Sequence, residues 1–255
     1  MINFFRKIRY DSMKKDKISK YLIYAIGEII LVVIGILIAL QINNQNDLRK
    51  AREIEINYLN NIKTDLKINI LELDRYIKIR TQSIEGAKTI IEHIEGKPIT
   101  DFEAFNALGV PIYNWEKFYQ NNNTFQELIN SGNLALITND SIKSILMDIE
   151  SLYKKTKSEE DHYRFDTEEL IYKPLYEIMD LSLMVNNFQY RLSNGTEGEN
   201  ISITKDYYRD FLTNTKIKNG FVMTILEFST MNSQMLEMKK ISQNLLKLID
   251  AEIYK

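Results

Sequence analysis

One run constrains this chain more than any other: Tyr21 to Ile42, YLIYAIGEIILVVIGILIALQI, with no polar side chain between Ile29 and Leu40. At about 1.5 Å per residue, a helix of this length reaches ~33 Å, enough for a hydrocarbon core of ~30 Å. A cleaved secretory signal would have a shorter apolar region and a small-x-small site after it. Residues 39–44, ALQINN, offer no clear site of that kind. The run predicts an uncleaved transmembrane helix over 21–42. It divides the chain into a basic N-terminus (1–20), the span, and a body (43–255).

Flanking charge predicts orientation. Arg6, Lys7, Arg9, Lys14, Lys15, Lys17 and Lys20 precede the span, against Asp11 and Asp16. After it, Arg49, Lys50 and Arg52 lie farther off, among Asp47, Glu53 and Glu55. The positive flank stays cytoplasmic. The expected location is therefore a bacterial inner membrane, with the N-terminus cytoplasmic and the body periplasmic. Tyr21 and Tyr24 suit the inner interface, and membrane lipids are the first expected partners. Met1–Arg9 fits either a small interfacial helix or a frayed basic tail.

Glu28 is the anomaly, about 10 Å into the span. A carboxyl group there is costly unless it is paired, protonated, or facing protein or water. One reading is that it snorkels to the inner headgroups or sits protonated without a role. The other comes from its neighbours. Ala25, Glu28, Val32, Gly35, Ala39 and Ile42 recur at threes and fours, one stripe of a helix. Small residues let helices approach closely in lipid. The stripe predicts a packing seam against another copy of the chain or a membrane protein partner, with Glu28 on it.

Composition bounds the body. With no cysteine, disulfides and thiol nucleophiles are excluded. A net charge of −2 gives no global basic field, so no nucleic-acid partner is expected. Nine glycines and three prolines in 255 residues favour long helices over a turn-rich β fold. The expected class is all-α, a helical bundle outside the cytoplasm hung from one transmembrane helix.

Periodicity fills in that bundle. Leu59, Ile62, Leu66, Ile70, Leu73, Ile77, Ile84, Ala87, Ile91 and Ile94 mark a long amphipathic helix with one gap at Arg80, ended by Gly96-Lys97-Pro98. The span could run into it without a break. Thr100 is placed to cap a short helix, 101–108, ended by Gly109-Val110-Pro111. Tyr113, Trp115, Phe118 and Tyr119 then form an aromatic corner, read as packing between helices or as a ligand site. Thr124 and Glu127 are spaced as a capping box, and Gly132 suits a left-handed terminator. A helix is expected over 141–183, solvated over Lys154–Asp161 and kinked at Pro174. A loop is expected over 186–200, a short helix over 206–212, and a last long helix from Lys218 or Asn219. Met223, Met231, Met235 and Met238 fall at core spacing in that helix, although methionines also suit an adaptable groove.

The segments GEIILVVIGILIALQINN and TFQELINSGNLALI (Thr124–Ile137), with the basic MINFFRKIR start, resemble an uncharacterised family of single-span membrane proteins common in Bacteroidetes-type bacteria. The resemblance implies an inner-membrane anchor and a mostly helical domain. It implies no activity and supplies no catalytic residues. Gln45 stands in the region where such proteins carry a Trp after INN.

Chemical motifs are sparse. No G-x-S-x-G, HExxH or Walker A sequence occurs. Glu159 and His162 have the Glu-x-x-His spacing of carboxylate-bridged di-iron bundles, with Asp166 one turn on. The other histidine, His93, has Ile90 at that spacing, so the second half of such a site is missing. No metal, cofactor or catalytic residue is assigned. The expectation is a non-enzymatic membrane protein that presents a helical domain for assembly or partner binding. The alternative is a ligand-sensing bundle signalling through a separate partner.

Overall fold

A computed structural model describes residues 18–113, 116–201 and 203–255, and every element among them is helical. The chain divides into two units, 1–57 and 58–255. Helix α1 spans Ile18–Ile94 and has no break at residue 42. In the first unit, its apolar stretch has a mean hydropathy of 2.7 over 18 residues, none of it buried. Among the described residues, one helix is thus long and apolar enough to cross a membrane. The basic segment 1–17 lies outside the described residues.

The second unit is built on three long helices: the later part of α1, α4 (Asp140–Thr167) and α8 (Thr215–Ile253). Their apolar stripes meet in layers. Leu59–Tyr76 of α1, Ile142–Ile149 of α4 and Met235–Ile249 of α8 share the largest core cluster. Ile84, Tyr163, Phe228 and Met231 form a small middle cluster. Ala87, Ile90, Ile171, Ile217 and Phe221 belong to the third. The order of these layers makes α1 and α4 parallel and α8 antiparallel to both. Met231, Met235 and Met238 are core residues, at most 1 % exposed.

A polar layer interrupts this core. Arg80 Nη2 lies 2.5 Å from Glu160 Oε1, and both side chains are buried. Glu160 also accepts from the Phe118 backbone N–H (2.9 Å) and from Lys157 Nζ (2.7 Å). The stretch 154–161 is therefore not wholly solvated. Thr156 and Glu160 face inward: Thr156 donates to Gln234 of α8, and Glu160 supplies the anion that buried Arg80 needs.

Several boundaries differ from expectation. Asp101, not Thr100, caps α2 (Phe102–Tyr113), accepting from the N–H groups of Glu103 and Ala104. Gly109 and Pro111 sit inside α2 rather than ending it, and the helix stops within a turn of Pro111. The Thr124–Glu127 capping box does not form. Helix α3 (Asn123–Asn130) instead has the Thr124 N–H on Asp65 of α1, while Glu127 accepts from the Tyr58 hydroxyl. Gly132 does adopt the left-handed conformation, at φ +73°. Asn139 caps α4 with two accepted N–H bonds.

Helix α4 passes into a π-turn, Glu168–Tyr172, before α5 (Lys173–Ile178), which carries Pro174 in its first turn. Proline offers no N–H, and the wider turn absorbs the mismatch. A second break at Met179 and an Asp180 cap start α6 (Leu181–Leu192). The expected loop over 186–200 is thus helical to Leu192. Asn187 explains this: its amide exchanges two hydrogen bonds with the backbone of Ile201, pinning the returning strand of chain onto the helix. A 3₁₀ turn (Lys205–Tyr208) and α7 (Arg209–Thr213) follow. Asn214 caps α8, which starts a turn earlier than its apolar pattern.

Candidate functional site

The third core cluster does not fill its space. A cavity of about 200 Å³ lies between α2, the π-turn with α5, α6 and the 205–213 segment. Its walls are largely apolar, among them Ile90, Phe105, Leu175, Met179 and Phe211. The π-turn before Pro174 and the break at Met179 bring Tyr172, Leu175, Tyr176 and Met179 to one side of it. Helix α2 supplies Phe105, Asn106, Gly109 and Tyr113 at threes and fours to the other.

Polar groups in the wall are few. The Tyr208 hydroxyl donates to Asn106 Oδ1, and the Tyr172 hydroxyl donates to the Tyr113 carbonyl. Burial pushes all three phenols up, Tyr172 to about 12 and Tyr113 and Tyr208 further, so each remains a neutral hydroxyl. Phe105 meets Tyr208 edge-on at 5.2 Å and Phe211 at 5.9 Å, which fixes that wall. Gly109 sits under the Tyr113 ring: a Cβ there would lie 2.4 Å from Tyr113 Cε2.

A second constellation lies at the level of the middle cluster. His162 and Asp166, one turn apart on α4, face Glu227 of α8. Their ligating atoms all lie within 4.8 Å of one another. His162 Nδ1 is 2.6 Å from Glu227 Oε1 and 3.9 Å from Asp166 Oδ2. Sequence spacing marked His162 and Asp166 but missed Glu227, which reads as one more acid in an amphipathic helix.

A family model covers part of this chain. Residues 28–192, more than half of the chain, match the family of unknown function DUF6090. The chain belongs to that family. No curated protein and no solved structure matches it. The DUF6090 match begins at Glu28, takes in the Thr124–Ile137 block, and ends with α6. It includes His162, Asp166 and most of the cavity wall, but not Glu227, Tyr208 or Phe211. DUF6090 carries no activity that could be transferred to these residues.

The residues singled out from sequence are scattered. Glu28, Val32, Gly35 and Ala39 are exposed on α1 and Ala25 is partly so; a Cβ on Gly35 would meet nothing within 4 Å. The three described aromatics, Tyr113, Phe118 and Tyr119, do not meet in one corner. Tyr113 lines the cavity, whereas Phe118 is fully buried in the largest cluster, edge-on to Tyr76 and Tyr153. Tyr119 is exposed, with Lys157 Nζ 4.4 Å from its ring centre. Trp115 lies outside the described residues.

Proposed function

We propose that this chain is a single-span membrane protein whose helical body, on the outer side of a bacterial inner membrane, binds a small apolar ligand without catalysing a reaction. The cavity beside Tyr113 carries this reading. An apolar void of ~150 Å³ is enough to admit a benzene-sized molecule. This one is somewhat larger, and the Tyr113, Tyr172 and Tyr208 hydroxyls around it could orient a single hydrogen-bonding head. A one-ring aromatic or a short acyl chain fits that chemistry. The wall offers hydroxyls and an amide, which support binding better than bond-breaking.

The membrane placement rests on the apolar part of α1, and the orientation on the Lys and Arg residues of segment 1–20. The exposed stripe Ala25–Glu28–Val32–Gly35–Ala39 favours a further element of the reading. The span associates with another copy or with a membrane protein partner, which would receive the ligand signal.

A thermal-shift screen of the full chain in detergent, using substituted phenols and C4–C8 fatty acids, tests the cavity. The expected result is a raised Tm with at least one probe, lost in Gly109→Ala, whose methyl group forces the Tyr113 ring to move. No shift with any probe, or a shift unchanged in Gly109→Ala, removes the ligand reading.

A further inference from the structure

Glu227 is a costly residue to place where it stands. Its side chain is 6 % exposed, and Oε2 is buried with no hydrogen-bond partner among the described residues. An orphaned buried carboxylate oxygen is among the groups a fold seldom leaves unanswered. His162 and Asp166 of α4 face it, the three ligating atoms all lying within 4.8 Å of one another. Two carboxylates, of Glu227 and Asp166, therefore share one imidazole. The Asp166 carboxylate lies 3.9 Å from that imidazole.

We propose that His162 Nδ1, a carboxylate oxygen of Asp166 and the Glu227 carboxylate bind one divalent transition-metal ion of the zinc class. One imidazole nitrogen with two carboxylates is a donor set that Zn²⁺ accepts. Tetrahedral zinc with ligand bonds of ~2.0–2.1 Å sets its ligand atoms about 3.3 Å apart. The His162–Glu227 separation has to open from 2.6 Å and the His162–Asp166 separation to close from 3.9 Å. His162, whose side chain is 61 % exposed, can make both adjustments by turning its ring. The same exposure gives the ion a path in and leaves its remaining position open to water, which makes the site exchangeable. Bound metal would answer Glu227 Oε2 and join α4 to α8 just before the π-turn. The site does not depend on the cavity reading.

The test is calorimetric titration of ZnCl₂ into chelator-washed full-length protein in detergent, with thermal unfolding alongside. One Zn²⁺ per chain and a raised Tm are expected. His162→Gln and Asp166→Asn should each weaken binding at least tenfold. Asp166→Asn leaves the His162–Glu227 contact in place and so serves as the variant that keeps its fold. A wild-type chain that takes up no Zn²⁺ overturns the proposal, as does wild-type affinity retained in Asp166→Asn.

Discussion

At position 80 the core accepts a guanidinium where the helical stripe calls for an aliphatic side chain. Arg80 is tolerated because Glu160 meets it, and because Glu160 in turn holds the Phe118 N–H and Lys157. Burial alone pulls the Arg80 guanidinium down from its ordinary value, and Glu160 opposes that shift. Removing one member of a buried pair typically costs about 3–5 kcal/mol, while replacing both by apolar residues is often neutral. Arg80→Met should therefore destabilise the body by about 3 kcal/mol, the low end because Lys157 stays on Glu160. Arg80→Met combined with Glu160→Leu should recover only part of that loss, because it also leaves the Phe118 N–H without its acceptor. Urea unfolding midpoints report both; an Arg80→Met midpoint equal to wild type would mean that the pair holds nothing together. The gap in the apolar pattern at Arg80 was visible in the sequence. Its partner, 80 residues away, was not.

Among the elements, those written as uninterrupted periodicity were legible, and those set by side chain to backbone pairing were not. The long helices follow their apolar stripes, and Gly132 turns as its chemistry requires. By contrast, Asn187 extends α6 by capturing Ile201, and Asp65 takes the Thr124 N–H expected to serve a local capping box. Both depend on partners that no local pattern names. The candidate sites divide in the same way. Tyr113 was marked by composition, while the cavity needed the chain breaks around Pro174 and Met179 to form. His162 and Asp166 were marked by spacing, while Glu227 came from another helix. For α1 the pattern itself makes a prediction. If the Ala25–Ala39 stripe packs against a second span, Glu28→Gln should lower the mass of the complex extracted gently from native membranes, and Ile36→Val should not. Unchanged mass in both variants would take Glu28 out of the assembly.

At the scale of the whole molecule, the lack of cysteine makes orientation directly measurable. Glu197→Cys places one thiol in the exposed turn after α6. A membrane-impermeant thiol reagent should label it in intact spheroplasts; labelling only after lysis would reverse the proposed topology. The body also has a closure worth following in time. Its first helix is paired with its last: Lys63 with Asp250, Asp74 with Lys239, Thr81 with Asn232. The first of these contacts joins residues 187 apart in sequence. Loop closure over such separations comes before any packing reward, so α1 and α4 have no complete core until α8 arrives. During synthesis nearly the whole chain therefore emerges as separate amphipathic segments that cannot yet lock together. Folding of the body is therefore expected to be completed late, only once α8 has been made.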